Sequence, residues 1–293
     1  MFLGIEIGGT KLQLALGRGD GIRVAVVRRA VQPNDGAAGI RRQILEAYPE
    51  LLAAAAVDAS QVQACGIGFG GPVEVRTRTV ITSHQVIGWD NFPLATWAEE
   101  HLKLQTVVAN DADSAGLGEA HHGAGRGFDP ILYMTVGSGI GGALIVGGEI
   151  YSGVGRGAAE IGHLLLVRDG KHHTLENLAS GWAIEKAAGC SLRELVKRVE
   201  AGDTKAGVFI LRAVESLSEA LVHVVTLLCP QRIIIGGGVS LIGETLFFAP
   251  LRELVDRRTF PPFRGLTTIV PAALGEEVVL HGAFELAKQA VFA

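Results

Sequence analysis

The residues able to do chemistry begin with Asn110, Asp111 and Asp113, an amide and two carboxylates that end the apolar run Val107, Val108, Ala109. Small residues follow over 114–120, so the pattern predicts a strand end running into a helix start. Local evidence favours a helix N-cap, because an Asn or Asp oxygen can accept an otherwise unpaired backbone N–H. The alternative makes Asp111 a catalytic carboxylate at the carboxyl end of a strand, where open α/β sheets hold their ligands.

Glycine-rich turns bear on that choice. Residues 2–16 form two apolar runs separated by Gly8, Gly9 and Thr10, a β-hairpin pattern. Residues 131–146 repeat it, strand, glycine turn, strand, so the two halves read as weak copies of each other. Both turns offer unobstructed backbone N–H groups that suit phosphate oxygens, although tight hairpins use glycine in any case. A third turn, Gly236, Gly237, Gly238, closes a short apolar strand over 232–235. The G-x-G-x-x-G matches at 66–71 and 137–142 lack the helix that a dinucleotide fingerprint must open. A Walker A loop is absent, since Lys11 follows Thr10.

These pieces need positioning elements. The sequence predicts a helix over 36–47 with Ile40 and Ile44 inward, a strand over 62–69 and a strand pair over 73–82. Pro93 is expected in the first turn of a helix carrying Leu94 and Trp97. A glycine-rich loop over 151–163 ends in Glu160-Ile161-Gly162-His163, and Glu176 follows. Such side chains bond hydroxyl groups, although each alone is ordinary at a surface. A long amphipathic helix over 206–228 carries Phe209, Ala213, Leu217, Leu221, Val224 and Leu228 on one stripe, and a closing helix is expected over 280–291.

A chain of 293 residues is long enough for two lobes, and 48% hydrophobic with 19% charged residues is a globular composition. A net charge of -4 gives no footprint for nucleic acid, and the pairs Arg28-Arg29 and Arg257-Arg258 read as solvated faces. Cys65, Cys190 and Cys229 show no C-x-x-C spacing, so reduced thiols in a cytoplasm are expected. No signal peptide is visible. The longest apolar stretch, over 220–229, is shorter than the roughly 18 residues of a membrane span, so a soluble protein with no membrane partner is expected.

Four pieces stand in a fixed order: Gly4-Ile5-Glu6-Ile7-Gly8-Gly9-Thr10-Lys11, Asn110-Asp111-Ala112-Asp113, Thr135-Val136-Gly137-Ser138-Gly139-Ile140-Gly141-Gly142, and Ile234-Ile235-Gly236-Gly237-Gly238. With Glu160-Ile161-Gly162-His163 and Leu175-Glu176, nearly the whole chain resembles the ROK family (repressor, open reading frame, kinase), which includes bacterial glucokinases and fructokinases. The resemblance implies an α/β, actin-like (ribonuclease H-like) duplicated two-lobe sugar kinase fold. Its lobes would be residues 1–109, joined by the closing helix 280–293, and residues 110–279.

The implied activity is transfer of the γ-phosphoryl group of ATP to a hexose hydroxyl, glucose first, with Mg2+ as cofactor. The resemblance makes Gly8, Gly9, Thr10 and Lys11 the first phosphate turn and Thr135, Gly137 and Gly139 the second. Gly236, Gly237 and Gly238 would flank the adenosine. Gly71, Gln85, Asn110, Glu160, His163 and Glu176 match sugar-facing positions, and Asp111 matches the general base. Glu6 would meet Mg2+ through water. A cytoplasmic homodimer is implied.

Three departures matter. The family's cysteine zinc motif is missing between His163 and Glu176, so no structural zinc is expected, although His163, His172 and His173 leave another metal site open. Gln85 stands where glucokinases have Asn, and Glu6 where Asp is usual. The sugar therefore stays open, with fructose and N-acetylhexosamines as alternatives. The competing reading is a non-catalytic sugar or nucleotide sensor. A ROK repressor is not expected, because the first hairpin begins within a few residues of Met1; retention of Asp111 and both phosphate turns argues against the sensor.

Overall fold

Continuous apolar character in β1 (Phe2–Ile7), buried at every position but Glu6, marks a strand covered on both faces. The computed structural model describes residues 1–83 and 85–292. β2 (Lys11–Gly17) returns antiparallel to β1 around the first glycine turn, and β3 (Arg23–Ala30) pairs with β2. Next come α1 (Gly36–Ala55), β4 (Ala64–Phe69), the short β5 (Val73–Glu74) and β6 (Thr79–Val80), α2 (Leu94–Leu102), β7 (Gln105–Asn110) and α3 (Asp111–His122). The sheet order is β3-β2-β1-β4-β7, with β4 parallel to both neighbours.

Two local expectations shift. Helix α1 runs through Pro49 to Ala55, because Tyr48 and Leu51 continue the buried stripe of Ile40, Ile44 and Ala47. Pro93 stands just before α2 rather than in its first turn.

Further along lie β8 (Ile131–Val136), β9 (Ile140–Val146), β10 (Glu149–Ile150), β11 (Leu165–Arg168) and β12 (Lys171–Thr174). Four helices follow, α4 (Leu175–Ala179), α5 (Gly181–Ala188), α6 (Leu192–Glu200) and α7 (Thr204–Leu228). The chain ends with β13 (Arg232–Gly236), α8 (Ala249–Arg258), β14 (Thr268–Pro271) and α9 (Val278–Phe292). Strands β8 and β9 are antiparallel, while β8, β13 and β14 are parallel. This repeats the relation of β1, β2, β4 and β7, so the copying read from two hairpins extends to whole sheets. The inward stripe of α7 is Ala206, Ile210, Ala213, Leu217, Leu221 and Val224. Phe209 is only partly buried because the stripe runs through Ile210 beside it, and Leu228 is exposed because the buried stripe ends at Val225.

The chain divides into two compact units, one of residues Met1–Arg126, Gly148–Ala158 and everything from Glu276 on, the other of Gly127–Gly147 and Ala159–Gly275. The first division thus falls beyond the boundary expected after residue 109. The reason is close packing of α3 on α9: a Cβ at Gly282 would lie 1.6 Å from the Ser114 carbonyl oxygen. The same helix explains the glycine at 66, where a Cβ would lie 1.8 Å from the Ala283 carbonyl oxygen.

Candidate functional site

In the first unit the chemistry gathers at the carboxyl ends of β1, β4 and β7. Asn110 ends β7 in an extended conformation and caps α3, its Oδ1 accepting from the Ala112 N–H at 2.8 Å. Asp111 is the first residue of α3, and its Oδ1 also accepts from the Ala112 N–H. The positive end of the helix dipole favours the ionised carboxylate there. The other carboxylate oxygen points toward Gly70. A Cβ built on Gly70 would be 3.6 Å from Asp111 Oδ2 and 3.6 Å from Gly8 Cα, so the carboxylate and the first glycine turn meet across that residue. Gly70 itself donates to the Ile7 carbonyl at 2.8 Å. Sequence reading passed over Gly70; its place between Phe69, the end of β4, and Gly71 was the available signal.

Gly71 serves as scaffold, its N–H donating to Phe69 O and its carbonyl accepting from Asn110 Nδ2 at 3.0 Å. Gln85 lies in a loop held against α1, where the Ala37 N–H donates to Ile87 O and the Arg41 guanidinium sits 4.3 Å from the Phe92 ring centre. The buried Trp89 packs edge-on against Phe69 and Phe92. This loop lays the Gln85 carboxamide over Gly9, where any Cβ would collide with it.

Glu6 sits among donors from the return strand. Lys11 Nζ lies 3.2 Å from its Oε1, and Gln13 Nε2 donates to its Oε2 at 2.6 Å. A cation and an amide thus face the carboxylate. Gly8 closes the turn by donating to Lys11 O, and Thr10 O accepts from the Val31 N–H.

In the second unit, Thr135 on β8 is in register with Gly236 on β13. The next glycine, Gly237, has φ +83°, and a Cβ there would lie 2.5 Å from Val136 O. The second turn is held by its neighbours: the Gly181 N–H donates to Gly137 O at 2.7 Å, and Glu176 Oε2 accepts from the Ile140 N–H at 2.8 Å. Beside Gly238 a cavity of about 580 Å³ is lined by Leu241, Ile242 and Val196 together with Arg193 and Lys197. Sequence reading missed this wall on α6. The Ser191 N-cap, which accepts from the Glu194 N–H, was the available signal.

Glu160 and His163 share one tight turn, the His163 N–H donating to Glu160 O. The Leu175 N–H donates to Leu164 O at 2.8 Å and holds this turn beside the start of α4, where Glu176 sits. The shortened span between them folds as the antiparallel hairpin β11-β12. Asp169 (φ 51°) and Gly170 (φ 72°) form its two-residue turn, the left-handed pair that a tight hairpin favours. His172 and His173 pair across it with Val167 and Leu166. Among the described residues no group of three or more His, Cys, Asp or Glu is arranged to hold a metal ion.

The model of the ROK family matches residues 2–290. A glucokinase of Halalkalibacterium halodurans is 30% identical, the match covering 98% of this chain and 95% of that protein. The crystal structure of a ROK hexokinase from Thermus thermophilus superposes with a TM-score of 0.87 at 29% identity, covering 99% of each chain. A ROK family glucokinase from Streptomyces griseus, solved in complex with glucose and AMPPNP, superposes with a TM-score of 0.80 at 29% identity over 98% of this chain and 99% of that one.

Proposed function

The chain belongs to the ROK family and has its duplicated actin-like fold, and from that premise we propose that it is an ATP-dependent hexose kinase with glucose as first substrate. The observation that carries the reading is the meeting of Asp111 with the first glycine turn across Gly70. A carboxylate there can orient a sugar hydroxyl and accept its proton as the γ-phosphoryl group leaves ATP. Because the transition state is loose, positioning matters more than basicity.

The other roles follow the chain. Gly8, Gly9, Thr10 and Lys11 cradle phosphate in one unit, and Thr135, Gly137 and Gly139 do so in the other. Gly236, Gly237 and Gly238 flank the adenosine, whose base fits the apolar cavity beside Gly238. Glu160, His163, Glu176, Gln85 and Asn110 bond sugar hydroxyls. One Asn110 amide hydrogen is engaged by Gly71, and the second is available to the sugar. Gly71 acts by positioning Asn110. Glu6, whose carboxylate is shared with Lys11, would meet nucleotide-borne magnesium through water, and the ion would neutralise phosphate charge when bound. Three unpaired cysteines fit a cytoplasmic location, and no helix among the described residues is long and apolar enough to cross a membrane. A homodimer is part of the proposal, tested by light scattering on the eluted protein.

The direct test is ADP release with glucose, fructose, mannose and N-acetylhexosamines as acceptors. Release with glucose supports the proposal. Release only with another sugar moves the assignment to that sugar, and silence in folded protein that binds ATP favours a sensor.

A further inference from the structure

Glu176 stands at the second position of α4 and is fixed there from both sides. Thr174 caps the helix by accepting from the Asn177 N–H, and Leu175 beside it is fully buried. From that place Glu176 Oε2 accepts from the Ile140 N–H at 2.8 Å, on the closing strand of the second phosphate turn. The approach depends on Gly139, because a Cβ there would lie 2.5 Å from the same oxygen. The other end of the turn is held from the start of α5, by the Gly181 N–H on Gly137 O. The turn over 137–140 is therefore shaped by the segment 176–181, whose first residue is also a proposed sugar contact.

We infer that Glu176 is a positioning residue that couples the two substrates, one carboxylate oxygen holding the second phosphate turn while the other receives a sugar hydroxyl. The inference rests on the kinase reading for the sugar half and on the observed hydrogen bond for the turn half. A carboxylate is acceptor-only with about four lone-pair sites, so both bonds can exist together. Hydrogen bonds in such a chain polarise one another, so a hydroxyl on Oε1 alters the grip of Oε2 on Ile140. Linkage requires the effect to run both ways: whatever factor glucose imposes on nucleotide affinity, the nucleotide imposes on glucose.

The test compares Glu176→Gln, which keeps an acceptor for Ile140, with Glu176→Ala, which removes it. Both lose the charge, so their difference isolates the hold on the turn. Amide hydrogen exchange of residues 137–141 in the ligand-free protein is expected to be slow in wild type and Glu176→Gln and faster in Glu176→Ala. The dissociation constant of a non-hydrolysable ATP analogue, measured without sugar, is expected to be up to about tenfold weaker in Glu176→Ala than in Glu176→Gln, the scale of one neutral hydrogen bond. Glucose should change analogue affinity in wild type and leave it unaltered in Glu176→Ala. Glu160→Gln serves as contrast, weakening glucose without altering analogue affinity measured alone. Equal exchange and equal affinity in the Ala and Gln variants overturn the inference. A wild type that binds neither glucose nor the analogue overturns the kinase reading, and the exchange comparison still decides the role of Glu176 in the turn.

Discussion

Asn110 and Gly71 are joined side chain to backbone, Nδ2 donating to the carbonyl at 3.0 Å, while Asn110 Oδ1 accepts from the Ala112 N–H at 2.8 Å. The two readings of this stretch, helix cap and catalytic carboxylate, thus overlap: Asn110 Oδ1 and Asp111 Oδ1 both accept from the first turn of α3, while Asp111 Oδ2 is turned toward Gly70. Replacing Asn110 by Asp keeps the cap and loses the donor. Asn110→Asp is therefore expected to lose roughly 1 kcal/mol with the Gly71 bond and to raise glucose KM roughly tenfold. Asn110→Ala is expected to raise KM and to lose about 1 kcal/mol more, the worth of the cap. Thermal unfolding and steady-state kinetics on the two variants check this; equal Tm values would contradict the cap.

The loop bearing Gln85 is held by Arg41 over Phe92 and by the buried Trp89. Arg41→Met is expected to cost roughly 1 kcal/mol and to raise glucose KM with little change in ATP KM. Trp89→Ala is expected to cost about 3–5 kcal/mol by leaving a cavity. Denaturant unfolding and separate KM values for the two substrates measure both. A rise in ATP KM alone would contradict the role given to the loop.

The interface of α3 and α9 contains His121, His122, His281, Glu285 and Lys288, with Glu277 and Arg23 nearby. Burial and the neighbouring His122 hold the His281 imidazole below its ordinary value. Burial works to raise the Glu285 carboxyl, but the His122 hydrogen bond and the charges of His121 and Lys288 outweigh it and hold it low. For His281 the unfolded chain takes up the proton first, so stability is lost as pH falls below about 6.5. For Glu285 stability is present above its unfolded value and is lost as pH falls through its lower folded one, so both act in the same direction. The Tm is expected to fall on acidification from pH 7 to pH 5, and less steeply in His281→Phe. An unchanged acid limb in that variant would contradict the assignment.

Between His163 and Glu176 the hairpin β11-β12 carries the positioning, anchored by buried Leu166 and by Arg168, which donates to Glu219 on α7 at 2.8 Å. Chelation with EDTA is accordingly expected to abolish phosphoryl transfer by removing Mg2+ and to leave the Tm of ligand-free protein unchanged. Magnesium alone should restore activity. A Tm drop reversed by zinc would contradict this.

Residues with a local signature were the legible ones. The glycine turns at 8–9 and 137–139 announced both hairpins, and the switch from Val107-Val108 to Asn110-Asp111 announced the strand-to-helix joint. Contacts between elements distant in sequence were hidden. Nothing near Gly66 reveals that α9 packs on it. The helices α4 to α6 are short and separated by caps at Thr174, Ser180 and Ser191; those caps, and the helical spacing of Leu192, Leu195, Val196 and Val199 on α6, were readable signals. The hairpin β11-β12 carries an Asp-Gly turn signal at Asp169-Gly170 that went unread.

The central claim is that Asp111 accepts the sugar proton, and the measurement that tests it most directly is ADP release with glucose by wild type, Asp111→Asn and Asp111→Ala, alongside binding of a non-hydrolysable ATP analogue. Wild-type turnover with a loss of about 10²–10⁴-fold in both variants, at undiminished analogue affinity, is the expected result. Near-normal turnover in either variant would contradict it.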